Sequence, residues 1–269
     1  MSAKQIHDVD AVIISLTNIR GNLYTMSLRA PAIAETAKPM QFVNIALGDL
    51  SDPLLRRPFS LSGIYPDSGV IGITWAVVGR GTQIMARWQA GESVRVLGPL
   101  GNGLDIDELD TSQGLLLVAG GTGLAPMIPL VSRALAKDAE VHIFYGARSA
   151  DDLLDMGGGC RVHLATEDGS IGFKGLVTGL LEAFLDGGAL GDGKPTVISC
   201  GPRPMLSAVK RICRRHRLPL LVSLEERMAC GYGVCQGCAV PSARGGYHRV
   251  CTEGPVFWAD RLDQGECTR

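Results

Sequence analysis

The stretch Leu115–Leu130, LLLVAGGTGLAPMIPL, admits two readings that lead to different proteins. No charged residue occurs between Asp110 and Arg133, and such a length of uncharged chain approaches that of a membrane span. The run GGTG and the prolines Pro126 and Pro129 interrupt any continuous spanning helix. The residues instead spell a short buried strand, a tight turn and the start of a helix. Gly120, Gly121, Thr122 and Gly123 make the turn. Glycines there let the backbone approach a pyrophosphate, and a helix N-terminus offers free N–H groups and a positive dipole end. The run departs from G-x-G-x-x-G because Pro126 stands where the last glycine would be, which a first helical turn tolerates. Taken alone, the loop also reads as a strand–helix turn with no ligand.

The residues downstream favour the nucleotide reading. EVHIFYGAR, RVHLATED, PTVISCG and LPLLVSLEE have strand character, and they alternate with the helical patterns GLVTGLLEAFL and PMLSAVKRICRRH. Such alternation implies βαβ units and a doubly wound parallel sheet. SCGPRPM is a second crossing, with Cys200 and Gly201 at a strand's carboxyl end, where open sheets place a ligand. Cys200 reads equally well as a small core residue. Arg148 and Ser149 after FYGA offer a guanidinium and a hydroxyl to a 2′-phosphate, which leaves NAD or NADP open.

Upstream the grammar is different. AVIISLTNI, LYTMSLRA, QFVNIAL, RPFSLSGI, GVIGITWAVV and SVRVLGPL are short β-rich runs separated by turn residues. Six of them before residue 100 predict a small antiparallel barrel with one helical insert, GTQIMARW. Within it, Arg56–Ser60 (RRPFS) combines guanidinium, apolar ring and hydroxyl in a set that suits a flavin. A solvated loop with a core phenylalanine is the other reading. Thr74–Thr82 (TWAVVGRGT) is a strand running into Gly79-Arg80-Gly81-Thr82, where free N–H groups suit an anion and Thr82 suits a cap. An ordinary capped helix would look the same.

Four of the eight cysteines cluster as Cys230-x4-Cys235-x2-Cys238-x12-Cys251. Only one C-x2-C pair occurs, which differs from the usual zinc pairing. The order matches the plant-type [2Fe–2S] spacing, and Gly231, Gly233 and Gly237 free backbone N–H groups to turn towards sulfur. Zinc, with His248 nearby, is the competing reading. No pattern gives a role to Cys160, Cys213 or Cys267.

The 269 residues are 46% hydrophobic and 20% charged with a net charge of −1. That balance offers nothing to a nucleic acid or an anionic membrane. The N-terminus MSAKQIHDVD lacks an apolar signal region, so the expected location is the cytoplasm and the cysteines are not expected to form disulfides. Three divisions are expected: residues 1–105 a flavin-binding β-barrel, 106–223 a dinucleotide-binding α/β domain, and 224–269 a [2Fe–2S] segment.

In this order the motifs resemble the ferredoxin–NADP reductase superfamily, and within it the electron-transfer subunits of class 1B dihydroorotate dehydrogenases. RRPFS, VVGRGT, GPLGNG, VAGGTGLAP, YGAR, TEDGSIGFKGLVT, SCGP and LEERMACGYGVCQGCAV…CTEGPVF carry the resemblance, which spans essentially the whole chain. It implies a Greek-key barrel holding FAD through Arg57, Pro58, Phe59 and Ser60, through Thr74, Trp75 and Ala76, and through Gly81 and Thr82. It implies NAD over Gly120, Gly121, Thr122 and Gly123 and the Cys200–Gly201 edge, and Cys230, Cys235, Cys238 and Cys251 as cluster ligands, which makes the three divisions those of FAD, NAD and cluster. Phe59 and Trp75 leave open how the flavin ring is covered.

The chemistry fits these parts. Nicotinamide exchanges a hydride, a [2Fe–2S] cluster one electron at a time, and a flavin does both. No nucleophile–base constellation is present, as a relay would need none. The oxidation of dihydroorotate in pyrimidine biosynthesis requires an FMN-bearing (β/α)8 partner, which takes about 250 residues of its own and must be a second polypeptide. The resemblance implies a heterotetramer of two of each subunit. Small subunits of ferredoxin–NADP transhydrogenases resemble this plan but replace one cluster cysteine with aspartate, whereas all four positions here are cysteine. A nucleotide-binding redox sensor or zinc adaptor without turnover is the non-enzymatic alternative.

Overall fold

A computed structural model describes residues 5–48, 52–155 and 158–263, so Cys267 lies outside the described residues. The first half forms a closed antiparallel barrel of six strands: β1 (His7–Arg20), β2 (Leu23–Arg29), β3 (Phe42–Ile45), β4 (Arg57–Tyr65), β5 (Val70–Ala76) and β6 (Ser93–Leu100), in the order β1-β2-β5-β4-β3-β6. The helical insert is present as α2 (Arg80–Met85). A second short helix, α1 (Pro31–Thr36), escapes sequence reading because its six residues span less than two turns and give no period.

The second half is a seven-stranded sheet. Its strands are β7 (Leu115–Gly120), β8 (Val141–Ala147), β9 (Arg161–Thr166), β10 (Phe173–Lys174), β11 (Thr196–Cys200), β12 (Leu220–Ser223) and, after the hairpin β13 (Ala239–Pro241)–β14 (Tyr247–Arg249), β15 (Val256–Trp258). The order is β10-β9-β8-β7-β11-β12-β15, parallel throughout except for β15, which pairs antiparallel with β12. Helix α3 (Ile128–Leu135) covers one face, and α4 (Val177–Asp186) and α5 (Arg203–His216) cover the other.

The opening stretch is therefore the central strand of a sheet. Leu115, Leu117 and Ala119 pack with α3, whereas Leu116 and Val118 pack with α4 and α5. A strand buried on both faces reads as an unbroken apolar run, and each buried leucine contributes roughly 1.5–3 kcal/mol. Among the described residues no helix is long and apolar enough to cross a membrane. The helix expected directly after the glycines starts later: Gly121–Met127 is a 3₁₀ turn and α3 begins at Ile128. Pro126 and Pro129 lack the N–H that α-helical bonds through this segment would need.

The C-terminal segment is more ordered than its glycine-rich sequence suggests. Besides its hairpin it forms α6 (Val250–Glu253), and Cys238, Val240, Cys251 and Phe257 share one core with Val118 of β7.

Glycines take two separate jobs at the β7 turn. Gly121 has a φ of +54° and open space where a Cβ would stand, whereas a Cβ on Gly123 would overlap the carbonyl of Cys200 at the end of β11. Gly121→Ala is expected to cost ~1–2 kcal/mol of left-handed strain and to leave the fold intact. Gly123→Ala has to push two strand ends apart and should lower the melting temperature by a clearly larger margin in thermal denaturation. Equal melting temperatures for the two variants would refute this division of roles.

Candidate redox site and nucleotide cleft

The sheet reverses direction between β7 and β11. From β7 the chain moves outward through β8 and β9, then returns to β11 on β7's other side. In open α/β sheets the crevice above the strand ends at such a switch point is where ligands bind. Here it holds a cleft of about 530 Å³, lined by Gly120, Gly121 and Thr122 from the β7 turn and by Pro202, Pro204 and Met205 from the start of α5. Gly123, Cys200 and Gly201 lie below this cleft instead of lining it. Cys200 is 1% exposed. Burial, and secondarily the charge of Glu225, push its thiol up to about 12. It is a neutral core thiol. A Cβ on Gly201 would press on the backbone of Gly120, so this glycine too serves the approach of the two strands.

At the outer end of the cleft stand Arg148, Asp152 and Glu167. The two residues able to meet a 2′-phosphate are already engaged. Asp152 accepts a hydrogen bond from the Ser149 hydroxyl at 3.1 Å and lies 3.7 Å from the Arg148 guanidinium.

A second cavity of about 400 Å³ opens between the barrel and the sheet. Pro58, Phe59 and Ser60 of β4 line it, with Thr74, Trp75 and Ala76 of β5 and Thr82 of α2. Trp75 is only 3% exposed, and its ring stacks on Tyr24 at 5.7 Å within the barrel core. It follows Ile71 and Ile73 on the inward face of β5, so Thr74 and Ala76 present their side chains outward. Thr82 is the third residue of α2, and its Oγ1 accepts the N–H groups of Val78 and Gly79. It thus caps from inside the helix while Gly79 holds the N-cap position. Arg57 and Gly81 sit beside the cavity against each other, where a Cβ on Gly81 would stand 3.0 Å from the Arg57 Nε. Arg56 is engaged elsewhere, donating to both carboxylate oxygens of Asp8 at 2.9 and 3.1 Å.

Sequence reasoning passed over Glu225 and Met228, which line the far side of this second cavity. Glu225 is solvent-accessible by its surface, yet the surrounding protein desolvates its carboxyl and raises its pKa. Its neighbour Glu226 is ion-paired with Arg203. The only sequence signal was an acidic pair directly after a buried strand. The two cavities share Ala76, Val78 and Thr122 as common walls.

Two residues beyond Met228 the cysteine loop begins. Its thiols form two pairs. Cys238 donates to Cys251 at an Sγ–Sγ distance of 3.2 Å, and Cys230 accepts the Cys235 N–H at 3.4 Å. Gly237 N–H points at the Cys235 Sγ at 3.5 Å, and Cys251 N–H at the Cys238 Sγ at 3.4 Å. Among the described residues no three His, Cys, Asp or Glu side chains gather as one metal ion would require. Two pairs of thiols with amides turned towards them fit a two-iron group, in which each iron takes two protein ligands. They fit a single tetrahedral zinc poorly. His248 points elsewhere: its Nδ1 lies 3.4 Å from Glu253, and its ring packs on Phe257. Burial raises the Cys230 thiol, but the backbone N–H groups of Cys235, Tyr232 and Val234 outweigh it and bring the pKa down to about 6. Cys251 is pushed up to about 12, first by burial and then by its contact with Cys238.

Residues 225–263 match the family described as the iron–sulfur cluster binding domain of dihydroorotate dehydrogenase B, and residues 117–158 match the oxidoreductase NAD-binding domain. The dihydroorotate dehydrogenase B (NAD(+)) electron transfer subunit of Desulforamulus reducens is 37% identical over 257 residues, covering 92% of this chain and 95% of that protein. The corresponding subunit of Bacillus caldolyticus is 36% identical, covering 89% and 92%. The chain belongs to the dihydroorotate dehydrogenase B electron transfer subunits. Among solved structures it is similar to an NADH-dependent reduced ferredoxin–NADP oxidoreductase studied for flavin-based electron bifurcation. That match has 26% identity and a TM-score of 0.84, and it covers 99% of this chain and 93% of that one. A ferredoxin reductase of carbazole 1,9a-dioxygenase shares the fold with a TM-score of 0.67 at 21% identity, over 81% of this chain and 68% of that one. The family and the structural neighbours agree with the barrel, the doubly wound sheet and the C-terminal iron–sulfur segment.

For this family member the outer end of the cleft makes a prediction about nucleotide choice. Asp152→Ala releases Arg148 and Ser149 and removes a negative charge. The ratio of KM for NADPH to KM for NADH is then expected to fall about 10-fold, equivalent to ~1.4 kcal/mol. An unchanged ratio in steady-state assays would show that Asp152 does not control the choice.

Proposed function

We propose that this chain carries electrons released by dihydroorotate oxidation in a separate subunit to NAD+, through a [2Fe–2S] cluster and FAD. The observation that carries the proposal is the order of the sites. The nucleotide cleft shares Ala76, Val78 and Thr122 with the barrel cavity, and Met228 on that cavity's other side leads directly into Cys230.

When bound, FAD supplies the chemistry that joins the ends, since it exchanges a hydride with nicotinamide and single electrons with an iron–sulfur group. The residues of this chain bind, orient and shield. We assign the flavin to Pro58, Phe59 and Ser60, to Thr74, Trp75 and Ala76, and to Thr82, with Arg57 and Gly81 beside the first turn of α2. NAD is assigned to the turn of Gly120, Gly121 and Thr122, over a floor that Gly123, Cys200 and Gly201 hold together. Cys230, Cys235, Cys238 and Cys251 are assigned to the cluster. On this reading residues 1–105, 106–223 and 224–269 are the flavin, nucleotide and cluster divisions. The partner holds the substrate site, and we assign it FMN and a two-plus-two assembly. Cys235 is exposed, and so are Tyr232 and Val234 of the same loop, so this face is the one assigned to the partner.

The proposal separates two activities. Cys235→Ser is expected to leave NADH-dependent ferricyanide reduction, which needs only nucleotide and flavin, within about twofold of wild type. Dihydroorotate-dependent NAD+ reduction by the complex should fall at least ~100-fold, or ~2.7 kcal/mol in barrier. Parallel loss of both activities with the flavin still bound would overturn the assigned order of sites. A purified wild-type protein without flavin bands and iron–sulfur shoulders in its absorption spectrum would overturn the cofactor assignment itself.

A further inference from the structure

Asn44 is a polar residue in an apolar place. It lies on β3 and is 0% exposed, between Pro58 of β4 and Leu97 of β6 in the barrel wall. Its neighbours along the strand, Val43 and Ile45, are core residues of the barrel. A buried amide in such a wall is disfavoured unless it holds something. Its Nδ2 donates to the carbonyl of Cys230 at 3.3 Å, across 186 residues of sequence. Its Oδ1 is buried and has no hydrogen-bond partner among the described residues.

The residue after Cys230 is fitted to the same amide. Gly231 has a left-handed φ of +79°, and a Cβ there would overlap the Asn44 Nδ2 and stand 3.1 Å from Leu100. The loop that carries the first cysteine thus turns directly against this side chain, with no room for another atom. On its other side Asn44 pairs with Pro58, which belongs to the motif lining the flavin cavity. One side chain therefore links the flavin-bearing wall of the barrel to the cysteine loop.

We propose that Asn44 is a positioning residue for the iron–sulfur cluster: its amide fixes the Cys230 carbonyl and the Gly231 turn, and thereby the direction of the Cys230 thiol. The inference rests on the reading of the four cysteines as cluster ligands. Partners that orient a metal ligand from behind set both the affinity and the electronic character of the site. A donor facing the Cys230 carbonyl does the first by holding the loop. Its dipole does the second, because it lies on the flavin side of the cluster loop.

Two near-isosteric variants of the full chain test this. Asn44→Asp replaces the donor by a carboxylate facing the Cys230 carbonyl, and Asn44→Leu removes both polar atoms. Asn44→Asp is expected to shift the cluster's midpoint potential to more negative values and to alter the electron paramagnetic resonance signal of the reduced protein. Asn44→Leu should lose iron to a chelator about 10-fold faster than wild type. FAD content should stay at the wild-type level in both. Unaltered resonance, potential and iron loss in flavin-loaded variants would overturn the inference and leave the cluster assignment standing. Loss of FAD together with iron would also overturn it, by showing that Asn44 serves the barrel as a whole. A wild-type chain that holds no iron would overturn the cysteine reading and this inference with it.

Discussion

The ends of β7 and β11 meet backbone to backbone, and the placement of both cavities follows from that contact. Ala119 and Cys200 are paired in register. Beyond them Gly123 packs on the Cys200 carbonyl, and Gly201 packs on Gly120. Side chains at these points would separate the strands and widen the crevice above them. Because the crossovers leave the two strands in opposite directions, the crevice stays open at the top. The 3₁₀ turn Gly121–Met127 then runs from β7 towards the barrel, so Thr122 faces the nucleotide cleft and the barrel cavity at once. Hydride transfer requires the two reacting rings to be within contact distance. On the proposed reading, rings bound in the two cavities would lie close together, because Ala76, Val78 and Thr122 line both.

The cysteine loop solves a different problem. Thiols must lose their protons to become ligands, and burial opposes that loss. The inner pair, Cys238 and Cys251, is 2% exposed on each side and packs in the core with Val118. The outer pair is more accessible, and backbone N–H groups already bring Cys230 down to about 6. Cys230 is therefore the thiol readiest to bind as thiolate near neutral pH, whereas Cys251, pushed up to about 12, would give up its proton only to a bound metal. Metal binding at this loop would be coupled to proton release, more at Cys251 than at Cys230.

Features that depend on neighbours in sequence were legible in the sequence. The apolar run of β7, the alternation of strands and helices, and the cysteine spacing are all local, and the strand run and the alternation appear in the structure, with only the start of α3 displaced to Ile128. Features that depend on distant partners were hidden. Arg56 and Arg57 look alike in RRPFS, but Asp8, 48 residues earlier, takes Arg56 out of the site. The side on which Trp75 lies stays open until the phase of β5 is followed from Ile71 and Ile73, which turns it into the barrel. Ser149 and Arg148 read as phosphate ligands, although Asp152 in the next turn already holds them. Asn44 carries no signal at all, since its partner is 186 residues away. The strand β15 is three residues long, too short for any period to show.

Among the described residues lining the barrel cavity there is no cysteine, histidine or lysine to act as a nucleophile, as suits a relay. Cys200 beneath the shared wall is held as a neutral thiol by burial, and the carboxyl of Glu225 is displaced upward by the same cause. Burial thus disfavours the charged form of both groups, one lining the barrel cavity and the other beneath the nucleotide cleft. Electrons arriving at a flavin add negative charge there, and a fixed thiolate or carboxylate would oppose them at short range in a partly desolvated site. An enzyme that attacked its substrate would need the opposite arrangement, with a thiol lowered towards neutrality beside the reacting atom. Among the described residues the thiol that is lowered is Cys230, on the cluster loop, where a metal would need it. Spacing still has to mark the rest of the set, since Cys251 is pushed up to about 12 just as the core thiol Cys200 is.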